Sequence, residues 1–310
     1  MFRREQGGRL SAALGFSVIV PTRDRLASLQ RCIDALVAQD FPRERFEIMV
    51  IDDGGRQSPA RLLEAYTSHN LLLLTQKNAG PAAARNAGAE RARGAFLAFT
   101  DDDCSPAPGW LSALEHKLVT NPDQMIGGLT LNRVERNAYS EVSQALVSYL
   151  YQYYNDGNDV RFLTSNNIAV PTSLFRNLGG FSARFPRAAA EDRDFCERWT
   201  HAGLTMAYAG DAVVEHHHVL DLPGFWRQHF NYGRGAHGFH LARASRGRSP
   251  LRVEPPRFYL GLVGYPLARD RSARALYCAG LMALTQIANA AGFLYEAMAM
   301  RLAPSRRNPP

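Results

Sequence analysis

Cysteine is scarce in this sequence and lysine is absent from its C-terminal segment, and each scarcity narrows the answer. Cys32, Cys104, Cys196 and Cys278 are scattered over 310 residues with no close pair. Zinc ribbons and dithiol redox motifs need paired cysteines, and a disulfide framework needs more of them in less chain, so all four are expected as reduced thiols. From Arg227 onward there are 13 arginines, no lysine and only three acids, Glu254, Asp270 and Glu296. That segment carries +10, which leaves −3 for residues 1–226 of the chain's +7. The basic excess therefore belongs to the tail, which suits an anionic membrane surface or nucleic acid as a partner for that segment alone. Residues 1–14, read as an N-terminal extension, lack the charged start and apolar run of a secretory leader. The expected location is cytoplasmic, and peripheral on the inner face of the cytoplasmic membrane if the tail binds lipid.

With 46% hydrophobic and 10% aromatic residues, the chain can bury a sizeable core. Residues 16–20 form a short apolar run closed by Pro21, and Leu26, Leu29, Ile33, Leu36 and Val37 follow at helical spacing. Strands are then expected over 46–51, 71–75 and 95–100, and helices over 60–67 and 82–93. This alternation predicts an α/β fold, a mainly parallel sheet flanked by helices, with ligands bound beyond the carboxyl ends of the strands. Further along, helices are expected over 110–118, 139–154 and 192–201. Strands are expected at 125–131, 168–170 and 205–218, the last turning at Gly210.

Three polar clusters, Thr22 to Arg25, Asp52 to Gly55 and Asp101 to Asp103, each follow a predicted strand, so the fold would gather them at one rim. The consecutive Asp101, Asp102 and Asp103 would repel one another unless a cation compensates them. Hard oxygen ligands with open positions suit Mg2+ or Mn2+ bridging a diphosphate; a solvated acidic turn is the alternative. Asp52-Asp53 could hydrogen-bond a base or ribose, or simply close a turn at Gly54-Gly55. The run from Asn78 through Gly80 and Arg85 to Gly88 sets a turn before a helix of small residues. It would let backbone approach a ligand and offer Arg85 to a phosphate, or else pack a helix tightly on the sheet.

Taken in order, Val18-Ile19-Val20-Pro21-Thr22, Ile51-Asp52-Asp53-Gly54, Asn78 to Gly88 and Phe99-Thr100-Asp101-Asp102-Asp103 resemble the family 2 glycosyltransferases of the GT-A fold. The likeness continues through Ser165-Asn166-Asn167-Ile168-Ala169, Gly179-Gly180-Phe181 and Glu191-Asp192 with Arg198, and covers about residues 15 to 220. The resemblance implies a nucleotide-sugar site formed by Pro21, Thr22, Arg23, Asp52, Asp53, Asn78, Gly80, Arg85, Asp101 and Asp102. Thr22-Arg23-Asp24 replaces the Tyr-Asn that many relatives carry after the proline, which puts base recognition in doubt. Asp101 would face the ribose and also be a candidate metal ligand with Asp103, which faces the metal, and Asp102 is given no separate role. Asp192 would be the general base, with Glu191 the second candidate, and Asn166, Asn167, Gly180, Trp110 and Arg198 would lie around the sugars. Alternation along a strand puts His216 and His218 on one face, and the resemblance makes His216, with His218 behind it, a further metal ligand. The implied activity is metal-dependent, inverting transfer of a sugar, from a UDP-sugar in the first instance, to a hydroxyl on a glycan or lipid-linked acceptor of the cell envelope.

The expected domains are a catalytic unit over 15–225, divided into a nucleotide-binding half (15–115) and an acceptor half (116–225), and a basic helical extension over 226–310. In that extension residues 277–300 carry one charge, Glu296, but also Gln286 and Asn289, and read better as an interfacial or packed helix than as a membrane span. An Arg-flanked arm of this kind either meets an anionic lipid surface, packs on the core or dimerises. Two rival readings are a sugar nucleotidyltransferase, which would favour a glycine-rich phosphate loop where residues 21–25 have no glycine, and a nucleic-acid-binding protein acting through the tail. The acidic loops make nucleic acid the weaker partner.

Overall fold

The computed structural model describes residues 15–157, 159–185, 189–247 and 253–302; the extension expected over 1–14 lies outside them. In chain order the elements are β1 (Phe16–Thr22), α1 (Leu26–Val37), β2 (Phe46–Asp52), α2 (Ala60–Leu63), β3 (Leu71–Thr75), α3 (Pro81–Arg91), β4 (Phe96–Thr100) and β5 (Cys104–Pro106). They continue with α4 (Trp110–Thr120), β6 (Met125–Asn132), α5 (Ala138–Tyr154), a small hairpin of β7 (Asn155–Asp156) and β8 (Asp159–Val160), β9 (Asn167–Pro171) and α6 (Thr172–Asn177). Last come α7 (Glu191–His201), β10 (Met206–His216), α8 (Leu222–Ser245), α9 (Pro256–Arg269) and α10 (Ala273–Leu302).

Eight strands form one sheet in the order β3-β2-β1-β4-β9-β6-β10-β5. β1, β2, β3 and β4 run parallel, as do β6 and β10, whereas β9 is antiparallel to both its neighbours. β1 and β2 are buried along their whole length because helices cover both faces, which is why they read as continuous apolar runs. Alternation divides their side chains between two cores. Val18, Val20, Ile48 and Val50 pack with Leu29, Ile33 and Leu36 of α1 and Leu111, Leu114 and Leu118 of α4. Ile19, Ile51 and Phe99 pack on the other face with Ala82, Ala84 and Ala89 of α3 and Phe195 and Trp199 of α7. The small residues of α3 let it ride close to the sheet: a Cβ at Gly88 would sit 2.8 Å from the side chains of Ile19 and Ile51.

The expected alternation is present, with local differences. The helix expected over 60–67 ends at Leu63 and tightens into a 3-10 turn over Glu64–Tyr66. The strand expected to turn at Gly210 runs through to His216 and absorbs its irregularity as a register shift between Ala209 and Val213. Neither β5 nor α6 was anticipated, since three and six residues are too few for a periodic pattern.

The three C-terminal helices share a core with α5, in which Val142 and Leu146 meet Phe225, Phe258, Leu262 and Met282. α8 and α10 approach through glycines. A Cβ on Gly233 would lie 1.9 Å from the Asn289 carbonyl oxygen, and one on Gly292 would lie 1.9 Å from that of Phe230. Part of the tail's charge is also committed. Arg243 and Arg246 hold Glu197, Arg246 also holds Asp194 of α7, Arg234 holds Glu296, and Arg274 holds Glu141. Three of these arginines thus tie the C-terminal helices to α5 and α7. Gly292→Ala is expected to force α10 off α8 and cost about 1–3 kcal/mol through overpacking, read as a lower midpoint in urea unfolding.

Candidate active site

The carboxyl ends of β1, β2 and β4 bring the three polar clusters to one rim, and the first question there is how Asp101, Asp102 and Asp103 coexist. Two arginines and a histidine compensate them. Arg25 places Nη2 2.5 Å from Asp102 and Nη1 2.7 Å from Asp103, and the Thr22 hydroxyl donates to Asp102 at 2.7 Å. Buried Arg85 reaches Asp101 at 2.6 Å and Glu191 at 3.2 Å. Burial pushes the Asp102 carboxyl up to about 7 although Arg25 opposes it. Asp103 is buried too, yet its hydrogen bond and charge interaction with His216, together with Arg25, hold it well below the usual carboxylate range. Repulsion within the triplet therefore does not by itself require a metal.

His216 arrives by way of β5, the short strand that follows the triplet. β5 pairs antiparallel with the end of β10, setting His216 opposite Cys104. His216 Nε2 then lies 3.4 Å from Asp103 Oδ1, and donor atoms of Asp103, Cys104 and His216 all fall within 4.8 Å of one another. The His218 ring stacks on His216 with centroids 4.6 Å apart and is held by Gln228 at 2.7 Å, whose amide donates to Tyr232 at 3.0 Å.

Glu191 and Asp192 open α7, where unpaired N–H groups and the helix dipole favour carboxylates. The turn before them is strained: Ala190 has φ +70°, a left-handed value uncommon for a residue with a side chain. Ala189 beside it packs where Gly235 of α8 leaves room, since a Cβ there would approach to 2.7 Å. The two acids are placed differently. Glu191 is buried on Arg85, and burial together with its neighbour Asp192 pushes it up to about 7. Asp192 is half-buried, takes the N–H of Arg193 at 2.7 Å, and is raised chiefly by burial. Asp101, Arg85, Asn166, Glu191, Asp192, His216 and His218 all line one cavity.

Other candidates make contacts within the scaffold. Asp53 accepts from the Gln76 and Asn78 amides and from the N–H groups of Ala79 and Gly80 at 2.7 to 2.9 Å, so it clamps the loop and uses up the amide of Asn78. Gly80 itself needs its φ of +91° to start α3. Asp52 takes the Gly55 N–H at 2.9 Å. Pro21 and Thr22 are buried in β1, while Arg23 is exposed beside them. Four sugar-side candidates are not among the residues lining that cavity. Trp110 and Asn167 are fully buried and bond to each other at 2.8 Å, the Asn167 amide also satisfying the carbonyls of Leu129 and Ala212. Gly180 has φ +64° and no room for a Cβ beside Asn86, and Arg198 is spent on Asp194 and the carbonyls of Leu178 and Gly180. The polar groups of Trp110, Asn167 and Arg198 would be costly to leave unpaired inside the protein, and these contacts hold the fold around the site.

Arg25 was missed because an arginine after a strand is unremarkable until its carboxylates are placed opposite it. Gln228 and Tyr232 carried a usable signal, since with Ala236 and His240 they repeat every four residues along α8 and line the same cavity.

The architecture and site define a GT-A type glycosyltransferase. The described chain superposes on S. aureus TarS 1-349 with TM-score 0.55, 17% identity and 95% and 93% of the two chains covered. It also superposes on the mannosyltransferase PcManGT of Pyrobaculum calidifontis, solved with GDP-Man and Mn2+, with TM-score 0.57, 18% identity and 93% and 80% coverage. The model of Glycosyl transferase family 2 matches residues 17–179, and the chain belongs to that family. Among curated relatives, glycosyltransferase AglE of Haloferax volcanii is 25% identical over 228 residues, 71% of this chain and 72% of its own length. Pre-mycofactocin glycosyltransferase of Mycobacterium tuberculosis is 27% identical over 227 residues, but the match spans only 46% of that protein.

Two outcomes follow. Asn167→Leu leaves the Trp110 N–H and two carbonyls without partners and is expected to cost roughly 3 kcal/mol or more, measured by chemical unfolding, with little change in the activity of the folded fraction. Glu191 keeps its proton up to about pH 7 when folded, against 4.5 for an ordinary glutamate. Between those values the folded state binds more protons, so this group's contribution to stability falls as pH rises. Glu191→Gln should flatten that part of the Tm-versus-pH curve.

Proposed function

We propose that the chain moves a sugar from a nucleoside-diphosphate donor, a UDP-sugar in the first instance, to an acceptor hydroxyl in cell-envelope glycan synthesis, with inversion at the anomeric carbon. The observation that carries this reading is the placement of Asp192 on a cavity wall shared with Asp101 and His216, while Glu191 is tied to Arg85. TarS has been solved with UDP-GlcNAc and PcManGT with GDP-Man, which supports a nucleotide-sugar donor. Two curated relatives, the poly(ribitol-phosphate) transferase TarS and a glucosyl-dolichyl phosphate glucuronosyltransferase, support a polymer or lipid-linked product.

Asp103 and His216 would hold a divalent cation, with His218 supporting His216 and the Cys104 sulfur at the edge. A carboxylate with an imidazole suits Mn2+ better than Mg2+, which prefers oxygen ligands throughout. When bound, the ion supplies positive charge for the leaving diphosphate. The chain's own groups do the rest. Asp192 takes the proton of the attacking hydroxyl, and its raised affinity for protons makes it a stronger base than an exposed aspartate. Arg85 keeps Asp101 and Glu191 in place, and the Asp53-clamped loop fixes the start of α3 on the donor side. One displacement from the face opposite the diphosphate inverts the centre. The exposed side of α10, a helix long and apolar enough to cross a membrane by length and composition, supports peripheral contact with the inner face of the cytoplasmic membrane.

Asp192→Asn is expected to lower kcat by about 10²- to 10⁴-fold while leaving UDP affinity intact; retained turnover would move the base to Glu191. Asp103→Ala is expected to weaken Mn2+-dependent UDP binding by calorimetry, and unchanged binding would remove the metal from this position.

A further inference from the structure

The cavity that begins at the acids has a volume of about 820 Å3 and continues well past them. One end is polar, with Arg85, Asp101, Asp192 and His216. The other runs between α5, α8, α9 and α10 and is walled by Val147, Leu150, Phe258, Leu262, Phe293 and Leu294. Pro21, Thr22, Asp52, Asp53 and Asn78, the donor-side candidates, are not among its lining residues. The volume lies in the upper part of the range of about 300–1,000 Å3 that holds small-molecule ligands. A sugar hydroxyl can be served at the acids, whereas the walls of Leu150, Leu262 and Phe293 offer it no hydrogen bonds and suit a hydrocarbon chain better.

The helical end leads towards an apolar surface. Leu294 of α10 and Tyr259 of α9 line the cavity and are themselves exposed, as are Tyr295 and Met298 on α10 and Leu260 on α9. Gln286 and Asn289, the polar residues that interrupt the apolar pattern of α10, face the same cavity. Their position accounts for that interruption: they serve the cavity, and the apolar residues around them serve its wall and the outer face.

We propose that the acceptor is an amphiphile whose long alkyl or isoprenoid chain lies between α5, α8, α9 and α10 while its hydroxyl-bearing head reaches Asp192. This deepens the glycosyl-transfer reading and rests on Asp192 as the acceptor-side base. The occupant follows from the continuity of one space: polar at the reacting carboxylate, walled by large apolar side chains between the helices with Gln286 and Asn289 among them, and bordered by exposed apolar residues of α9 and α10 past which such a chain could enter. A free glycan would use only the first part of that space.

The full-length protein can be titrated with n-alkyl β-glucosides from butyl to decyl, below their micelle concentrations, with UDP and Mn2+ present and absent. Affinity is expected to rise with chain length, by about tenfold or more across the series. Ala290→Trp, which fills the cavity from a small residue of its wall, should abolish that rise and leave UDP binding unchanged. Leu150→Asn, which keeps the space but makes it polar, should reduce it. Affinity independent of chain length would overturn the proposal. So would equal long-chain binding by Ala290→Trp, which would assign the chain to the outer face of α10. Failure of UDP to bind in the same samples would instead strike the glycosyl-transfer reading, while the chain-length series would still decide the occupant of the cavity.

Discussion

The arrangement of this protein depends on holding three adjacent carboxylates at the end of a buried strand. Like charges so close would raise one another's proton affinity and push the loop outward. Arg25 from the loop after β1 and Arg85 from α3 hold them inward, with His216 from β10 on the third acid. Because each partner comes from a different element, the same ion pairs that neutralise the triplet also fix where α3, β10 and the first loop stand relative to β4. Arg85 extends the link to Glu191 and so to the start of α7. Electrostatic compensation and site assembly are here one set of contacts.

A second dependence runs through the C-terminal helices. They are bound to α7 by arginine pairs, to one another by glycine contacts, and to α5 by an apolar cluster. Gln228 and Tyr232 of α8 support His218, and Gly235 leaves space for the turn that presents Asp192. What composition suggested as a basic arm is a wall of the site. Arg234, Arg243 and Arg246 are turned inward onto acids, while α10 leaves apolar residues such as Leu294 and Met298 facing solvent.

Much of the sheet was legible in advance because its central strands are buried on both faces and its helices carry a regular apolar stripe. The order of polar clusters along the chain also indicated which strand ends would meet. Less legible were the choices among polar residues. Asn167 and Trp110 stand in a motif shared with ligand-facing positions, yet they satisfy each other in the core. Asp53 reads like a ligand-binding acid and closes a loop. A hydrogen-bonding side chain has the same letter whether its partner is a substrate or a carbonyl distant in sequence, and only the position of that carbonyl separates the two.

By itself, then, the sequence determined the alternating elements, the rim at which the acidic loops gather and the family likeness carried by their order. These are properties of local pattern, where apolar spacing and turn residues act over a few neighbours. Only the tertiary structure decided that Arg25 neutralises Asp102 and Asp103, that Glu191 is occupied by Arg85 while Asp192 faces the cavity, and that the cavity continues between the C-terminal helices. The physical reason is that charge compensation, burial and enclosed volume arise from groups far apart in the chain, and their energies exist only once the fold has set the distances between them.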